Sequence, residues 1–388
     1  MSYRILYHHR IRADDGQAVH VREMIAALRQ LGHEVEECAL VPKAEGRRPV
    51  AGRRGGLWQR LRLPRVALET MEMAYSRSAT QRLVAVGRRL RPHFVYERHA
   101  LHCDAGLRAA RGLGVPLLLE VNSPMCDEMA KLGSLRFPRR ARATETRVLG
   151  GADRVLAVSG VLRQRLLQCG AAAERTLVVC NGAAVERFGA NAREGGVRLR
   201  RVLGLAPHAF VVGFVGYARP WHRLDVVLDA LRHDSLQHAH LWVVGEGPAL
   251  PTLRAQAERD GLAQRLHLVG AVSAAEVPSH VCAFDAAVIA AINEYASPLK
   301  LFDYLAAGVP VIAPDQANLR ELVDDGETAV LVPPGDTQAL AVALGRVGGD
   351  PAFATRLGAA GRRKLQACDW TWQGAARRVV EAYEAARP

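Results

Sequence analysis

The residues from Glu294 to Pro314 bring a cation, a carboxylate and a helix start into one short stretch. Ser297 is a good N-cap residue, and Pro298 suits the first helical position. We therefore predict a helix that starts there, ends at Gly308 and is followed at once by a short apolar strand.

The first turn of this predicted helix suits an anion. The N–H groups near Leu299 and Lys300 have no partner within the helix, and with the positive end of the helix dipole they favour a phosphate. Lys300 and Asp303 lie three positions apart and so share a face. A nucleotide sugar fits this pattern, with Asp303 accepting hydrogen bonds from ribose hydroxyls. The alternative is an ordinary capped helix; we favour the anion site because capping, Lys and Asp coincide in one turn.

Length and composition indicate a globular α/β protein with two domains. The chain has 388 residues, 49% of them hydrophobic, with 35 Gly and 19 Pro. It has no apolar run long enough to span a bilayer, and its first residues lead directly into a strand, so we expect a cytoplasmic protein without a cleaved signal peptide. Its seven cysteines include no C-x-x-C pair, which argues against both a zinc site and a disulfide framework.

The formal net charge of +13 calls for an acidic partner. The segment between Glu45 and Glu69 has no acidic residue but seven arginines, at 47, 48, 53, 54, 60, 62 and 65; a second cluster lies at 136, 139, 140, 142 and 147. An anionic membrane surface, a polyanionic acceptor and a solvated basic loop all fit this charge. Nucleic acid is not expected, because no DNA- or RNA-binding motif accompanies it.

Strand and helix patterns alternate along two halves of the chain. Residues 189–200 have the composition of a linker between the halves, and the first turn has only Gly16 where a dinucleotide fold would need G-x-G-x-x-G. We predict two doubly wound parallel sheets. The predicted strands are the one after Gly308 and those at 4–9, 33–40, 93–97, 115–121, 153–159, 176–180, 210–216, 241–245, 266–270, 285–290 and 328–332.

The segment Ser297-Pro-Leu-Lys-Leu-Phe-Asp-Tyr-Leu-Ala-Ala-Gly308 resembles the donor-binding helix of the family-4 retaining glycosyltransferases. The resemblance implies the GT-B fold, an α/β architecture of two Rossmann-like domains facing across a cleft. It places an acceptor-binding domain at 1–195 and a donor-binding domain at 196–369. A C-terminal helix at about 370–388 would cross back to the first domain.

In that family two glutamates lie eight positions apart, one near the donor sugar and one on the ribose. Asp303 matches the second, and the position eight residues earlier is Tyr295. Glu294 is one residue out of register. The resemblance thus assigns Asp303 and Tyr295 to the donor site and makes Glu294 the candidate sugar-side carboxylate.

The loop from Gly216 to Asp225 resembles the family loop that carries an Arg and a Lys-Gly pair near the donor diphosphate. Arg219 matches the Arg, and His222 takes the place of the Lys. Val272, after Gly-Ala in a second matched segment, would face the base. The alternative interpretation makes Arg219 and His222 ordinary exposed loop residues.

The first domain matches the family less closely. Asp15-Gly16 replaces a commoner Gly-Gly turn, with His20 where the next helix begins, and Asn122 stands where the family often has a catalytic-face His. Arg98 follows another strand at the edge where ligands bind in such sheets. Asp15, His20 and Arg98 are therefore candidates for the acceptor side, and Gly16 is a candidate for donor binding.

The resemblance implies a metal-independent retaining glycosyltransferase without a cofactor. It would move a sugar from a nucleoside diphosphate donor to a hydroxyl of a small-molecule, lipid-linked or polysaccharide acceptor. The residues do not identify the nucleotide, and UDP is preferred over GDP only as a prior. Arg219, His222, Glu294 and Asn122 would be catalytic, with the leaving phosphate taking the proton. The alternatives are a nucleotide-sugar epimerase on the same fold and a non-catalytic nucleotide-sugar-binding subunit. Peripheral attachment to the inner membrane face is an expectation from the basic segment.

Overall fold

The computed structural model describes residues 1–13, 15–43, 64–206 and 208–387. The chain forms two compact units: the first is Met1–Cys180 with Trp372–Pro388, and the second is Asn181–Thr371. Each unit contains one six-stranded sheet, and every paired strand in both sheets is parallel. Every strand predicted from the sequence is present, and the predicted class of two doubly wound sheets is confirmed.

The first unit alternates strands with helices. Its strands are β1 (Arg4–His9), β2 (Glu34–Ala39), β3 (Phe94–Arg98), β4 (Leu117–Val121), β5 (Arg154–Ala157) and β6 (Thr176–Val178). Its helices are α1 (Gly16–Gln30), α2 (Arg65–Leu90), α3 (Ala105–Leu113), α4 (Met125–Lys131), α5 (Pro138–Gly151), α6 (Gly160–Gln168) and α15 (Trp372–Glu384).

The strand order of the first sheet is β2-β1-β3-β4-β5-β6. The chain reverses its direction of winding between β1 and β3, and the loops at the carboxyl ends of strands next to such a point form the ligand site of doubly wound folds. All residues of β3 and β4 are buried, as expected for central strands covered on both faces. Buried polar residues in these two strands therefore need partners, and they belong to the site described below.

The second unit repeats this architecture. Its strands are β7 (Phe210–Val215), β8 (Ala239–Val244), β9 (Leu266–Gly270), β10 (Ala286–Val288), β11 (Val311–Pro314) and β12 (Val330–Val332). Its helices are α7 (Ala190–Val202), α8 (Leu224–Ala230), α9 (Leu250–Arg259), α10 (Val277–Val281), α11 (Leu299–Ala307), α12 (Ala317–Arg320), α13 (Thr337–Gly349) and α14 (Pro351–Ala367).

The strand order of the second sheet is β12-β11-β10-β7-β8-β9, so its winding reverses between β7 and β10. The loops that leave the carboxyl ends of β7 and β10 flank this point. They contain part of the predicted donor site: 216–223 follow β7, and 289–298 follow β10 and lead into α11, which carries Lys300 and Asp303.

The C-terminal helix α15 belongs to the first unit and packs on α1. The ring of Trp372 meets the His20 ring edge-on, with centroids 5.2 Å apart. Tyr383, near the end of α15, packs on Tyr3 and on Phe94 of β3, with centroids 5.0 and 4.6 Å away. The helix thus covers apolar surface of the first sheet.

The predicted linker at 189–200 is wrong, because these residues start and fill most of α7 in the second unit. Gly195 and Gly196 serve close packing here: a Cβ added to Gly196 would lie 2.8 Å from the backbone of Cys282, just after α10. The units divide at 180/181 instead of 195/196 and at 371/372 instead of 369/370.

The basic segment lies almost wholly outside the described residues. Of its seven arginines, only Arg65, the first residue of α2, is described. Within the described parts of the chain, no helix is long and apolar enough to cross a membrane.

Candidate functional site

Close backbone packing fixes the loop after β7. Gly216 has φ +134° and Gly245 has φ +123°, and a Cβ on Gly245 would lie 2.2 Å from the Gly216 carbonyl oxygen. The N–H of Gly216 donates to Val244 O at 2.9 Å, and that of Ala218 donates to Glu246 O at 2.7 Å. Only glycine fits these positions, so the loop reaches Arg219 along a defined path.

Arg219 lies among exposed aromatic side chains. Its guanidinium carbon is 4.9 Å from the ring centroids of both Tyr217 and Trp221, which are 46% and 50% exposed. Among the described carboxylates, none forms an ion pair with Arg219. The two rings therefore hold the guanidinium in place, and it can bind an anion from outside the described chain.

Lys300 supplies a second cation without an acidic partner in the described parts of the chain. Its Nζ lies 3.8 Å from the ring centroid of Phe214 and would lie 3.5 Å from a Cβ placed on Gly216. Burial lowers the pKa of Lys300 from its ordinary value to about 7. A bound anion would reverse this shift, because it would stabilise the charged amine.

His222 contributes a neutral ring at the position where the family has a Lys. Its Nδ1 accepts a hydrogen bond from the N–H of Arg219 at 3.1 Å. Burial, followed by the charges of Lys300 and Arg219, lowers the pKa of His222 to about 3. The imidazole therefore holds the loop in shape, and the positive charge comes from Arg219 and Lys300. Arg223, at the family's Gly position, adopts the left-handed conformation with φ 50°.

Helix α11 begins at Leu299, one residue later than predicted, and ends at Gly308 in the left-handed conformation, as predicted. Ser297 does not cap it, which corrects the prediction: the Ser297 hydroxyl accepts a hydrogen bond from the N–H of Asn181 at 3.2 Å. Pro298 occupies the N-cap position without a side-chain cap bond. The N–H groups of Leu299 and Lys300 consequently have no partner among the described residues.

The turn before α11 separates Glu294 from Tyr295. Glu294 is exposed, whereas Tyr295 is 8% exposed and its hydroxyl accepts a hydrogen bond from Asn293 Nδ2 at 3.0 Å. Asn318, fully buried, donates to the carbonyls of Asn293 and Ala296 at 3.2 and 2.7 Å and fixes this turn. Glu294 is therefore accessible at the surface of the turn, whereas the Tyr295 ring is buried in it.

Asp303 and Val272 are both half-buried. Asp303 is half-buried on α11, one turn after Lys300, as its spacing predicted. Val272 is half-buried in the loop after Gly270, which ends β9 with φ +83°. Both follow the same carboxyl edge of the second sheet as Arg219.

In the first unit, one buried carboxylate gathers three of the predicted residues. Oε2 of Glu120, at the end of β4, lies 2.8 Å from His20 Nε2, and Oε1 accepts from Arg98 Nη1 at 2.6 Å and from Asn122 Nδ2 at 2.5 Å. The Tyr96 hydroxyl also donates to Oε2, at 2.5 Å.

Burial alone would raise the pKa of Glu120. The charges of His20 and Arg98 and the hydrogen bonds outweigh burial, so the pKa of Glu120 lies well below its usual range. Sequence reasoning missed this residue, although a single acid inside the apolar run Leu117–Val121 was a signal for it.

The Asp15-Gly16 turn begins α1. Asp15 is its N-cap, with Oδ1 accepting the N–H of Gln17 at 3.0 Å, and the exposed Gly16 is the first helical residue. The two residues lie at the carboxyl end of β1, next to the point where the first sheet reverses its winding. Gly16 is therefore accessible, and Asp15 is half-buried beside it.

One group of described side chains has the composition of a metal site: His8, Glu97 and Cys103, all buried. Oε1 of Glu97 lies 2.6 Å from His8 Nδ1 and accepts the N–H of Gly106 at 2.9 Å. Burial, then the charge of Glu97, raises the pKa of Cys103 to about 12, which keeps the thiol protonated. Hydrogen bonds account for these contacts, and we assign no metal to the group.

Two family models match the chain. Residues 15–182 match "Glycosyl transferase 4-like domain", and residues 209–350 match "Glycosyl transferases group 1". The D-inositol 3-phosphate glycosyltransferase of Geodermatophilus obscurus is 31% identical over 309 residues, which are 75% of this chain and 66% of that relative. The chain therefore spans about two thirds of that relative's length.

Solved structures share the fold. Sucrose-phosphate synthase from Thermosynechococcus elongatus has a TM-score of 0.76 at 22% identity, covering 99% of this chain and 98% of that one. Anabaena HepE, solved with UDP and glucose, has a TM-score of 0.73 at 19% identity, covering 99% and 100%. With both domain models matched in order and two doubly wound units present, the chain belongs to the family-4-like glycosyltransferases of the GT-B fold.

Proposed function

We propose that this protein is a retaining, metal-independent glycosyltransferase. It transfers a sugar from a nucleoside diphosphate donor, UDP in preference to GDP, to a hydroxyl of a small-molecule, lipid-linked or polysaccharide acceptor. The second unit binds the donor, and the first unit binds the acceptor. The names of the relatives support sugar transfer, and the UDP bound to HepE supports the nucleotide.

The observation that carries this proposal is a group of unpaired donors at the carboxyl edge of the second sheet. In the described chain, Arg219 and Lys300 lack acidic partners, and the N–H groups of Leu299 and Lys300 lack hydrogen-bond partners. Two cations and a helix start suit a diphosphate, which carries negative charge on both phosphates. Asp303, one turn along α11, suits the ribose hydroxyls, and Val272 suits the base.

The same groups serve the chemistry. Breaking the bond between the sugar and the diphosphate increases the negative charge on the leaving phosphate, and cations already in place stabilise that charge. Glu294, exposed beside the helix start, lies where it can accept a hydrogen bond from the donor sugar. The leaving phosphate takes the proton of the attacking hydroxyl on the same face of the sugar, which retains the anomeric configuration.

A panel of nucleotide sugars tests the donor. Melting temperatures are measured with UDP-, GDP- and ADP-sugars, because a ligand at 100 times its Kd adds about 2.7 kcal/mol to the free energy of unfolding. We expect a UDP-sugar to raise the melting temperature of the wild type, and Arg219→Ala to reduce that rise. A panel without any shift would contradict the proposal.

Two other functions fit a donor-binding unit, the nucleotide-sugar epimerase and the non-catalytic binding subunit. Chromatography of the incubated donor separates them: an epimerase returns an altered nucleotide sugar, a binding subunit returns the donor unchanged, and a transferase releases nucleoside diphosphate. The anomeric configuration of the product, read by NMR, tests retention.

We further propose that the protein attaches peripherally to an anionic membrane through its acceptor-binding unit. This proposal rests on the net charge of +13 and on the basic segment of the sequence. α5 carries four arginines of the second cluster, at 139, 140, 142 and 147, and Arg139 and Arg140 are exposed on its first turn. A lipid-linked acceptor would then be met at the membrane surface.

A further inference from the structure

The amide of Asn122 has a defined orientation because its neighbour is an ionised carboxylate. Glu120 accepts hydrogen bonds but has none to donate, so Asn122 must present its NH2 group to Oε1 of Glu120, at 2.5 Å. The amide oxygen, Oδ1, then points away from Glu120. It has no partner among the described residues and is not sealed from solvent, so it is an open acceptor at the end of β4.

Glu120 is itself held from both sides. Arg98 shares Oε1 with Asn122, and His20 and Tyr96 hold Oε2, so the carboxylate cannot rotate without losing hydrogen bonds. Glu120 and Arg98 are 3% and 7% exposed. Because the charge of Arg98 is offset by Glu120, this position suits an uncharged group better than a phosphate or carboxylate.

We propose that Glu120 is a positioning residue for substrate binding: it orients the Asn122 amide so that the amide oxygen accepts a hydrogen bond from a substrate sugar hydroxyl. The proposal rests on the proposed function, since it requires a sugar substrate. The rival explanation is that Glu120 only neutralises the buried Arg98 and stabilises the fold.

The isosteric substitution Asn122→Asp distinguishes the two explanations. At neutral pH the introduced carboxylate has no proton to donate to Glu120 and is repelled by it. Once protonated, its O–H can donate to Glu120 while its C=O faces outward, which reproduces the wild-type arrangement. The neighbouring carboxylate of Glu120 raises the pKa of the introduced group above the ordinary value of about 3.9. The positive charge of Arg98, and that of His20 when it is protonated, acts in the opposite direction. Tyr96 stays neutral and adds no charge.

Release of nucleoside diphosphate from the best donor of the panel is measured for the wild type, Asn122→Asp and Asn122→Ala between pH 5 and pH 8. We expect the activity of Asn122→Asp relative to the wild type to rise about tenfold or more as the pH falls across this range. The relative activity of Asn122→Ala should stay flat. If Asn122→Asp follows Asn122→Ala at every pH, Glu120 does not position the amide for substrate.

A second readout needs no substrate. A carboxyl whose pKa is raised in the folded state binds protons better there than in the unfolded state, so its stability contribution grows as the pH falls. The melting temperature of Asn122→Asp should therefore approach that of the wild type from pH 8 to pH 5. A constant difference would overturn the Glu120–Asn122 arrangement. If the melting temperatures converge but the wild type turns over no donor, the failure lies with the proposed function.

Discussion

Donor affinity should depend on the ionisation of Lys300. The amine must be charged to bind a diphosphate, yet in the unliganded protein burial lowers its pKa to about 7. Above pH 7 the donor must therefore bind together with a proton. A bound diphosphate raises the pKa again, so for a single site the Kd grows in proportion to 1 + 10^(pH − 7). Between pH 6 and pH 8 this factor is about tenfold, or 1.4 kcal/mol.

The assay is isothermal titration of a UDP-sugar, whose esterified phosphates keep a constant charge over this range. His222, with a pKa of about 3, stays neutral throughout. Lys300→Arg keeps its charge at every pH and should remove the slope, while Lys300→Met should remove the slope and weaken binding. Lys364 pairs with Asp324 at 2.6 Å, and Lys364→Met is the matched control that should keep the wild-type slope. A flat wild-type profile, or an unchanged slope in Lys300→Arg, would refute the reasoning.

Three further predictions concern single groups. Arg219→Ala should lower kcat/KM by about 10²-fold without unfolding the protein, because Arg219 meets charge that grows in the transition state; near-wild-type kcat/KM would remove it from the site. Glu294→Gln should cost more activity than Tyr295→Phe, because the exposed carboxylate is proposed to reach the sugar, whereas the buried tyrosine ring stays in place without its hydroxyl. Steady-state kinetics giving the reverse order would assign the sugar-side role to Tyr295. In flotation, anionic vesicles should retain the wild type at low salt, at about 1 kcal/mol per bound charge, and should release it at high salt. A variant with Arg53, Arg54, Arg60 and Arg62 changed to Ser should float less. If it floats as well as the wild type, the basic segment is not what binds the membrane.

The sequence predicted the parts of the fold that depend on local pattern. Strand periodicity located every strand of both sheets, and Gly308 marked the end of α11. Lys300 and Asp303 were identified from their spacing, which a helix turns directly into a shared face. The sheet order then brings the loops after β7 and β10 to one edge, and this agrees with the residues chosen by resemblance.

The sequence failed where partners are distant along the chain. The hydroxyl of Ser297 fits a local cap, but it bonds Asn181, a contact that no local pattern indicates. Gly195 and Gly196 resemble a linker in composition, whereas their small size lets α7 pack closely near α10. His222 stands at the position of a family Lys, but the sequence does not show that burial beside Lys300 and Arg219 lowers its pKa and keeps it neutral.

Glu120 illustrates both situations. Its position in an apolar strand was visible, but its partners come from α1, β3 and the end of β4, and they meet only in the folded sheet. Buried carboxylates need such partners, so a single acid in a central strand is a useful guide to a polar network. The identity of that network requires the fold.

A crystal structure of the protein with UDP tests the central claim most directly, because the claim concerns where a diphosphate binds in the second unit. We expect the phosphate oxygens at about 2.7–3.2 Å from the N–H groups of Leu299 and Lys300, from Lys300 Nζ and from the Arg219 guanidinium. Asp303 should contact the ribose. A diphosphate bound elsewhere on the molecule, with Arg219 and Lys300 unengaged, would contradict the account.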